Sequence, residues 1–211
     1  MSHARMRNTL AGTGIAVALL LAGCSDGDSD TATPPTGTDM SGMHHDPSSG
    51  TAAPTRTDFD DADVTFLQMM YPHHTQAVDM AKLVPDRSRD DQLRTLADSV
   101  QQAQTPQLQQ FTELLRSFGK PAPDTTGHEG MGHGMPGMMS PDRMTALQNA
   151  TGAQFDRLWL EMMIDHHQGA IEMANTELAQ GTNPDTKRLA QDIASAQRAE
   201  IDRMHDMLGQ N

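Results

Sequence analysis

An internal repeat constrains the fold of this chain more than any other feature of its sequence. When the chain is shifted by 93 residues, residues 69–81 align with residues 162–174, and seven of these thirteen positions are identical. The alignment continues without a gap to the pair Leu115 and Leu208. A gapless match between two widely separated segments indicates that one structural unit has been duplicated.

Each unit carries the apolar pattern of two helices. In the first unit, apolar residues recur at three- and four-residue steps over residues 66–84 and again over residues 93–115, with a break at residues 85–89. This is the period of an amphipathic α-helix. The second unit repeats the pattern over residues 155–173 and 189–208. The sequence therefore predicts two helical hairpins.

The signals at the helix ends agree with this interpretation. Asn183 and Pro184 provide an N-cap and a first-turn proline for the last helix. The pair Ser140-Pro141 predicts a short extra helix that reaches about Asn149. We predict an all-α fold, a ferritin-like four-helix bundle made of two repeated helical hairpins with a long crossover between them. A plain up-down bundle with a long middle loop is the alternative.

The N-terminal region is typical of a bacterial lipoprotein. Arg5 and Arg7 precede a short apolar stretch that ends in Leu21-Ala22-Gly23-Cys24, which resembles a lipobox. We therefore predict a signal peptide over residues 1–23, lipidation of Cys24, and an extracytoplasmic location on the cell membrane of a bacterial envelope. An ordinary secretory signal followed by a free cysteine is the alternative.

Composition then divides the rest of the chain. Residues 24–57 are rich in Ser, Thr, Asp, Gly and Pro and are predicted to be a disordered tether. The bundle is expected over residues 58–208, with repeat 1 at 58–119, a Met/His-rich crossover at 120–152 and repeat 2 at 153–208.

Charge and residue usage exclude several functions. The chain has 28 acidic against 15 basic residues, a formal charge of −13, and this excludes general nucleic-acid binding because no basic patch is present to displace counterions from phosphates. A single cysteine excludes internal disulfides and multi-cysteine metal sites. Ten His and 17 Met remain as the soft or borderline metal ligands.

The repeated motif Met-Met-x-x-His-His places thioethers and imidazoles together. Within each copy a Met and a His are four residues apart, and such residues are neighbours on one face of a helix. Imidazole suits copper, zinc, nickel and iron, and thioether adds a preference for Cu(I). We expect copper as the ligand, with another divalent transition metal as the alternative. The candidate ligands are His73, His74, His166, His167, Met69, Met70, Met80, Met162, Met163 and Met173.

Several residues near this motif have two interpretations. Met80 and Met173, seven residues beyond a motif His, serve a second position or pack in the core. Asp79 and Glu172 orient the imidazoles or are simply solvated. Pro72 is expected to kink the first helix at the His pair, which Asp165 in the second copy cannot do. Two further Met/His stretches, residues 40–46 and 128–139, are predicted to be flexible segments that capture metal transiently.

These residues also resemble a known family. The patterns at residues 69–81 and 162–174 are similar to those of the CopM-type family of secreted bacterial proteins, catalogued as a domain of unknown function, DUF305. The resemblance covers residues 58–208. It implies a ferritin-like four-helix bundle, periplasmic copper binding in some members, and the ligand candidates named above. The family's Gln-x-x-Glu-Ile-x-x-Met is present at residues 197–204, but the first copy, at residues 104–111, lacks its Glu and Met. A fully symmetric site is therefore not expected.

The predicted function is copper binding by a membrane-anchored buffer or resistance protein, not an enzyme. A di-iron oxidase needs Glu-x-x-His on two helices, and the nearest approach is Asp202-x-x-His205, whose repeat mate is Gln109-x-x-Thr112. The alternatives are a ferritin-like redox enzyme and a metal-free helical interaction module. Because imidazole must be neutral to bind a metal, binding is expected to weaken as the pH falls through about 6.5. The expected partners are a metal ion and, through the anchor alone, the membrane.

Overall fold

The computed structural model describes residues 56–123 and 134–210 and is helical in all of its regular elements. The helices are α1 (Asp61–Lys82), α2 (Val84–Arg87), α3 (Asp91–Ser117), α4 (Pro141–Asn149), α5 (Gly152–Gln180) and α6 (Pro184–Gln210). None of these helices is long and apolar enough to cross a membrane. The predicted signal peptide, Cys24, the tether up to residue 55 and residues 124–133 lie outside the described residues.

The helix boundaries reproduce the repeat. A shift of 93 residues carries α3, Asp91–Ser117, onto α6, Pro184–Gln210, with both ends in register. The same shift carries the combined range of α1 and α2 onto the C-terminal part of α5. The break predicted at residues 85–89 is partly wrong, because the chain leaves α1 earlier, at Leu83. It then makes the single helical turn α2, whose C-cap is Ser88.

Polar caps fix where the helices begin. The Asp60 carboxylate accepts hydrogen bonds from the backbone amides of Ala62 and Asp63, and the Asp63 carboxylate accepts from the backbone amide of Asp60. Together these bonds form a capping box at the start of α1. Ser140 caps α4, and the Asn183 side chain accepts from the amides of Asp185 and Thr186 at the start of α6. Both caps confirm the prediction from sequence. Helix α1 continues through Pro72 as one helix.

The four long helices form the predicted ferritin-like bundle. Helix α1 packs along α3, α5 packs along α6, and the two hairpins meet mainly where α1 lies against α5. Asp63 adds a polar tie between the hairpins, because its carboxylate accepts from the backbone amides of Thr182 and Asn183 at 3.2 and 3.0 Å. The long crossover between α3 and α5 includes α4.

The core consists of two apolar clusters. The first, here called the Trp159 cluster, includes Ala77, Met80, Val84, Leu96, Trp159 and Met162. The second, here called the Phe66 cluster, includes Phe66, Leu67, Met70, Phe111, Ala170 and Met173. On α1 and on α5 the two clusters occupy opposite sides of the His-His pair. They therefore fill the two ends of the bundle.

Candidate metal-binding site

Four histidines form a layer across the middle of the bundle. His73 and His74 lie on α1 and His166 and His167 lie on α5, and all four side chains are 0% exposed. We call this set the central layer. It separates the Trp159 cluster from the Phe66 cluster. Such a layer is costly as mere packing, because each buried imidazole has two nitrogens that need partners.

The repeat-equivalent residues His73 and His166 meet at the interface between the hairpins. Their ring centroids are 3.7 Å apart with an interplanar angle of 37°. His74 and His167 lie farther out, each against the second helix of its own hairpin. The central layer thus joins the two units that the duplication created.

Three of the four imidazoles are held through Nε2. His74 Nε2 donates to Gln107 Oε1 at 2.9 Å, and His167 Nε2 donates to Glu200 Oε2 at 2.6 Å. Gln107 and Glu200 are themselves 93 residues apart, so the repeat places the same contact in both halves. His73 Nε2 donates to the carbonyl oxygen of Pro136 at 3.1 Å.

The other nitrogens of the layer are available to a ligand. A neutral imidazole that donates through Nε2 carries a lone pair on Nδ1. Among the described residues, Nδ1 of His73, His74 and His167 has no hydrogen-bond partner, and neither nitrogen of His166 has one. Metal-binding histidines show this arrangement, in which one nitrogen donates to a carbonyl or carboxylate and the other faces the metal.

Burial favours the neutral form of three of these imidazoles. Loss of hydration lowers the pKa of His73 and of His74 to about 3, and burial together with the neighbouring imidazoles lowers the pKa of His166 well below its ordinary value. The expected loss of metal binding through about pH 6.5 assumed an ordinary histidine pKa, and this assumption does not hold for these three histidines.

Two buried glutamines, which were not predicted as site residues, lie one helical turn before Gln107 and Glu200 on α3 and α6. Gln104 and Gln197 are repeat equivalents that are 2% and 3% exposed. Both oxygens, and the nitrogen of Gln104, lack hydrogen-bond partners within the described part of the chain. Their identity in both repeats was the available signal, since a polar residue kept on an apolar face points to a buried polar site.

Asp79 and Glu172 do not orient the imidazoles. Asp79 is exposed and pairs with Lys82 at 3.0 Å, and Glu172 is also exposed. The orienting role belongs to Gln107 and Glu200 on the facing helices. A motif search along one helix misses such partners, although their spacing of 93 residues marks them as equivalent.

The predicted methionine ligands are divided between the two ends. Met80, Met162 and Met163 are buried in the Trp159 cluster, and Met70 and Met173 are buried in the Phe66 cluster. Met69 is partly exposed and packs at the edge of the Phe66 cluster. The structure therefore brings the four histidines together but does not gather all six methionines around them.

A preformed cage of metal ligands is not found within the described segments, where no group of three or more His, Cys, Asp or Glu side chains is arranged to hold a metal ion. A site that uses all four imidazoles at once is therefore not preformed among these residues. A soft ion such as Cu(I) suits smaller sets of imidazole and thioether ligands, since both bind it.

A segment of the crossover covers the central layer on one side. Residues 134–140, here called the strap, supply the Pro136 carbonyl to His73, and Gln76 forms two hydrogen bonds with the backbone of Met139, at 2.7 and 2.9 Å. Gly137 has φ +74, and a Cβ there would lie 2.6 Å from Asp165 O. A Cβ on Gly169 would lie 2.0 Å from Pro136 O. Gly169 therefore makes room for the strap.

Comparison with known proteins agrees with this architecture. The model of the family described as Domain of unknown function (DUF305) matches residues 63–208. A DUF305 protein from Streptomyces coelicolor, assigned as a secreted protein, is 34% identical with a TM-score of 0.64, and the match covers 71% of this chain and 93% of that one. No curated protein matches the chain.

Two further solved structures are similar. A DUF305 fragment from Deinococcus radiodurans is 34% identical with a TM-score of 0.64, over 75% of this chain and 100% of that one. CopM in its Cu(II)-bound form is 32% identical with a TM-score of 0.61, over 69% of this chain and 94% of that one. CopM has also been solved in Cu(I)-bound, Ag-bound and apo forms. Since the family model spans most of the chain, this protein belongs to the DUF305 family.

Proposed function

We propose that this protein is a lipid-anchored extracytoplasmic copper-binding protein that buffers or sequesters the ion, with copper as cargo and Cu(I) as the favoured form. The observation that carries the proposal is the central layer. Three buried imidazoles donate through Nε2 and leave an unpartnered Nδ1, and a fourth has both nitrogens unpartnered among the described residues. A ligand that accepts imidazole lone pairs would satisfy them.

The relatives support the same assignment. CopM, whose cited structures are 28–32% identical with this chain, has been solved with Cu(II), Cu(I) and Ag bound. The proposed ligands are His73, His74, His166 and His167, with the thioethers of Met69, Met70, Met80, Met162, Met163 and Met173 as candidates for contributing from either end. A protein that buffers copper does not change the ion chemically, so it needs neither a catalytic base nor a substrate pocket.

The membrane anchor is the second part of the proposal. It rests on the lipobox-like sequence that ends at Cys24 and on the assignment of the Streptomyces relative as secreted. Expression of the full chain in a bacterial host should place it in the membrane fraction, whereas Cys24→Ala should release it. Equal distribution of both proteins would contradict the anchor.

A titration tests the copper site. The reduced, untagged protein is titrated with Cu(I) against a competing chelator, beside a variant with His73, His74, His166 and His167 replaced by Ala. His205→Ala is the matched control, because His205 is an exposed histidine on α6. We expect the tightest class of binding to be lost in the quadruple variant and kept in the control.

The other outcomes are equally informative. Unchanged tight binding by the quadruple variant would contradict the central layer as the site and would favour the Met/His stretches at residues 40–46 and 128–139. Absence of tight binding in the unmodified protein would contradict copper buffering altogether. Far-UV circular dichroism of each variant establishes that the bundle is folded.

A further inference from the structure

The two ends of the bundle are built differently at equivalent positions. At the Trp159 end, Trp159 is fully buried and donates to Met80 O at 3.0 Å, and Val84 is buried beside it. The 93-residue shift relates Trp159 to Phe66 and Val84 to Glu177. Where the Trp159 end has an indole ring and a valine, the Phe66 end therefore has a smaller phenyl ring and a carboxyl group.

The smaller ring is accompanied by a cavity. A pocket of about 400 Å³ opens between α1 and α5 at the Phe66 end, and its walls include Phe66, Met69, Met173, Glu177 and Pro136. The equivalents of the two methionines, Met162 and Met80, are fully buried in the Trp159 cluster. One end is therefore closed by packing, and the other retains an opening lined by two thioethers.

Glu177 gives this pocket its chemistry. The residue is 1% exposed, and neither of its carboxyl oxygens accepts a hydrogen bond within the described segments. Burial, a hydrogen bond to the Asp63 carboxylate and the charge of Asp63 raise the pKa of Glu177 to about 8, so the group is largely protonated at neutral pH. The nearby cation Lys187 donates to Gly181 O. A cation bound beside Glu177 would favour its ionised form and displace this proton.

The rest of the lining selects the kind of cation. Asp61 and Glu172 add negative charge at the pocket, and Met69 and Met173 contribute sulfur from the two hairpins. Thioether ligands select soft ions such as Cu(I) over hard ions such as Ca²⁺ or Mg²⁺. We propose that this pocket is a second binding site, for a soft monovalent cation, in which the Met69 and Met173 thioethers bind the ion and Glu177 releases its proton and balances the charge of the ion.

The position of the pocket gives the site a role. Pro136 lines the pocket, and its carbonyl oxygen accepts from His73 Nε2. Pro136 of the strap therefore touches both the pocket and the central layer. The site is an outer station from which the ion reaches the buried histidines. This role rests on the proposed copper function, but the binding itself does not require the central layer.

Methionine-resolved NMR tests the proposal. The full chain, labelled with ¹³C at the methionine methyl groups, is titrated with Ag(I) in chloride-free buffer, since Ag(I) is a diamagnetic ion with the charge and softness of Cu(I). We expect the Met69 and Met173 methyl resonances to shift together, while those of Met144 and Met207 in the Trp159 cluster do not follow them. The same shifts should occur in the variant that lacks all four layer histidines.

Two variants make the test specific. Glu177→Gln keeps the shape of the side chain but cannot ionise, and should weaken the Ag(I) affinity reported by Met69 and Met173 on the order of tenfold or more. Met69→Leu/Met173→Leu keeps the apolar volume and should abolish this class of sites. The control pair Met144→Leu/Met207→Leu, one partly buried and one buried methionine of the Trp159 cluster, should retain it.

The outcomes separate this proposal from the previous one. No shift at Met69 and Met173, or an affinity that Glu177→Gln leaves unchanged, would overturn the outer station and leave the central layer as the copper site. Shifts at Met69 and Met173 in a protein whose copper affinity does not depend on the four histidines would support the outer station and overturn the central layer.

Discussion

The two halves of the central layer share a geometry and differ in chemistry. His74 donates to the neutral amide of Gln107, whereas His167 donates to the carboxylate of Glu200. His73 is covered by the strap, while its equivalent His166 has no hydrogen-bond partner among the described residues. The repeat therefore places four imidazoles at equivalent positions, but the groups that surround them differ between the two halves.

Lowering the pH is expected to change stability most, because it acts on the buried histidines that both halves of the central layer contain. Because the pKa values of His73 and His74 are near 3 in the fold and near 6.5 in the unfolded chain, the unfolded state binds more protons between these values and stability falls as the pH falls. Between pH 7 and pH 5 each contributes a loss of about 2 kcal/mol, and His166 acts in the same direction.

Glu177 opposes this loss and must be included in the balance. Its raised pKa makes the folded state bind the additional proton between about 4.5 and 8, so acidification stabilises the fold through this group. We expect a net loss for the metal-free protein, measured by urea unfolding at both pH values. His74→Gln should make the dependence shallower, and His205→Gln should not. A metal-free protein equally stable at pH 7 and pH 5 would contradict the buried neutral layer.

The next effect sharpens the difference between the halves. Glu200→Gln makes the second half resemble the first and should lower Cu(I) affinity by about 10- to 100-fold, the range typical of a lost partner of a metal-binding histidine. Gln107→Glu makes the first half resemble the second and should raise the affinity. Chelator competition measures both. Equal affinities in the two variants and the parent protein would mean that His167 is not a ligand.

A smaller effect is expected where the strap covers only one half. Gly169→Ala places a methyl group against the Pro136 carbonyl and should destabilise the protein by about 1–3 kcal/mol despite the better helix propensity of Ala. Gly209→Ala is the matched control, since a Cβ there meets no atom within 4 Å. Thermal unfolding should show a loss in the first variant and none in the second. Equal unfolding midpoints in the two variants would mean that the strap does not lie against Gly169 in solution.

The smallest effect concerns the acidic pair retained in the repeat. Asp79→Asn and Glu172→Gln together should leave the tightest Cu(I) binding within about twofold of the parent value, because both side chains are exposed and do not hold the imidazoles. The same chelator competition measures this. A tenfold loss of Cu(I) affinity would mean that Asp79 and Glu172 help to hold the imidazoles, as Gln107 and Glu200 do in the structure.

Most of the fold was predictable because the repeat and the helical period are local in sequence. The caps Ser140 and Asn183 and the bounds of α3 and α6 follow from short-range rules. The four histidines were predictable as a group because consecutive His residues recur beside Met in both units. The single turn α2 in place of a full break was not, since Pro85 also suits the first turn of a helix.

Parts of the site were not predictable, because they depend on contacts between distant segments. The roles of Gln107 and Glu200 follow from packing between helices, and the strap depends on Gly169 and Pro136 meeting across the crossover. The depressed pKa values of His73 and His74 follow from complete burial, which a helical pattern suggests but does not quantify. The pocket at the Phe66 end needed the equivalence of Phe66 with Trp159 to be seen in three dimensions.

The central claim is that the Nδ1 atoms of the layer bind the ion, and imidazole ¹⁵N NMR tests it most directly. In the metal-free protein, His73 and His74 should give the spectrum of the neutral tautomer protonated on Nε2. Addition of Ag(I) should then shift Nδ1 resonances of the layer while His205 stays unchanged. Neutral tautomers protonated on Nδ1, or layer resonances that Ag(I) does not move, would contradict this account.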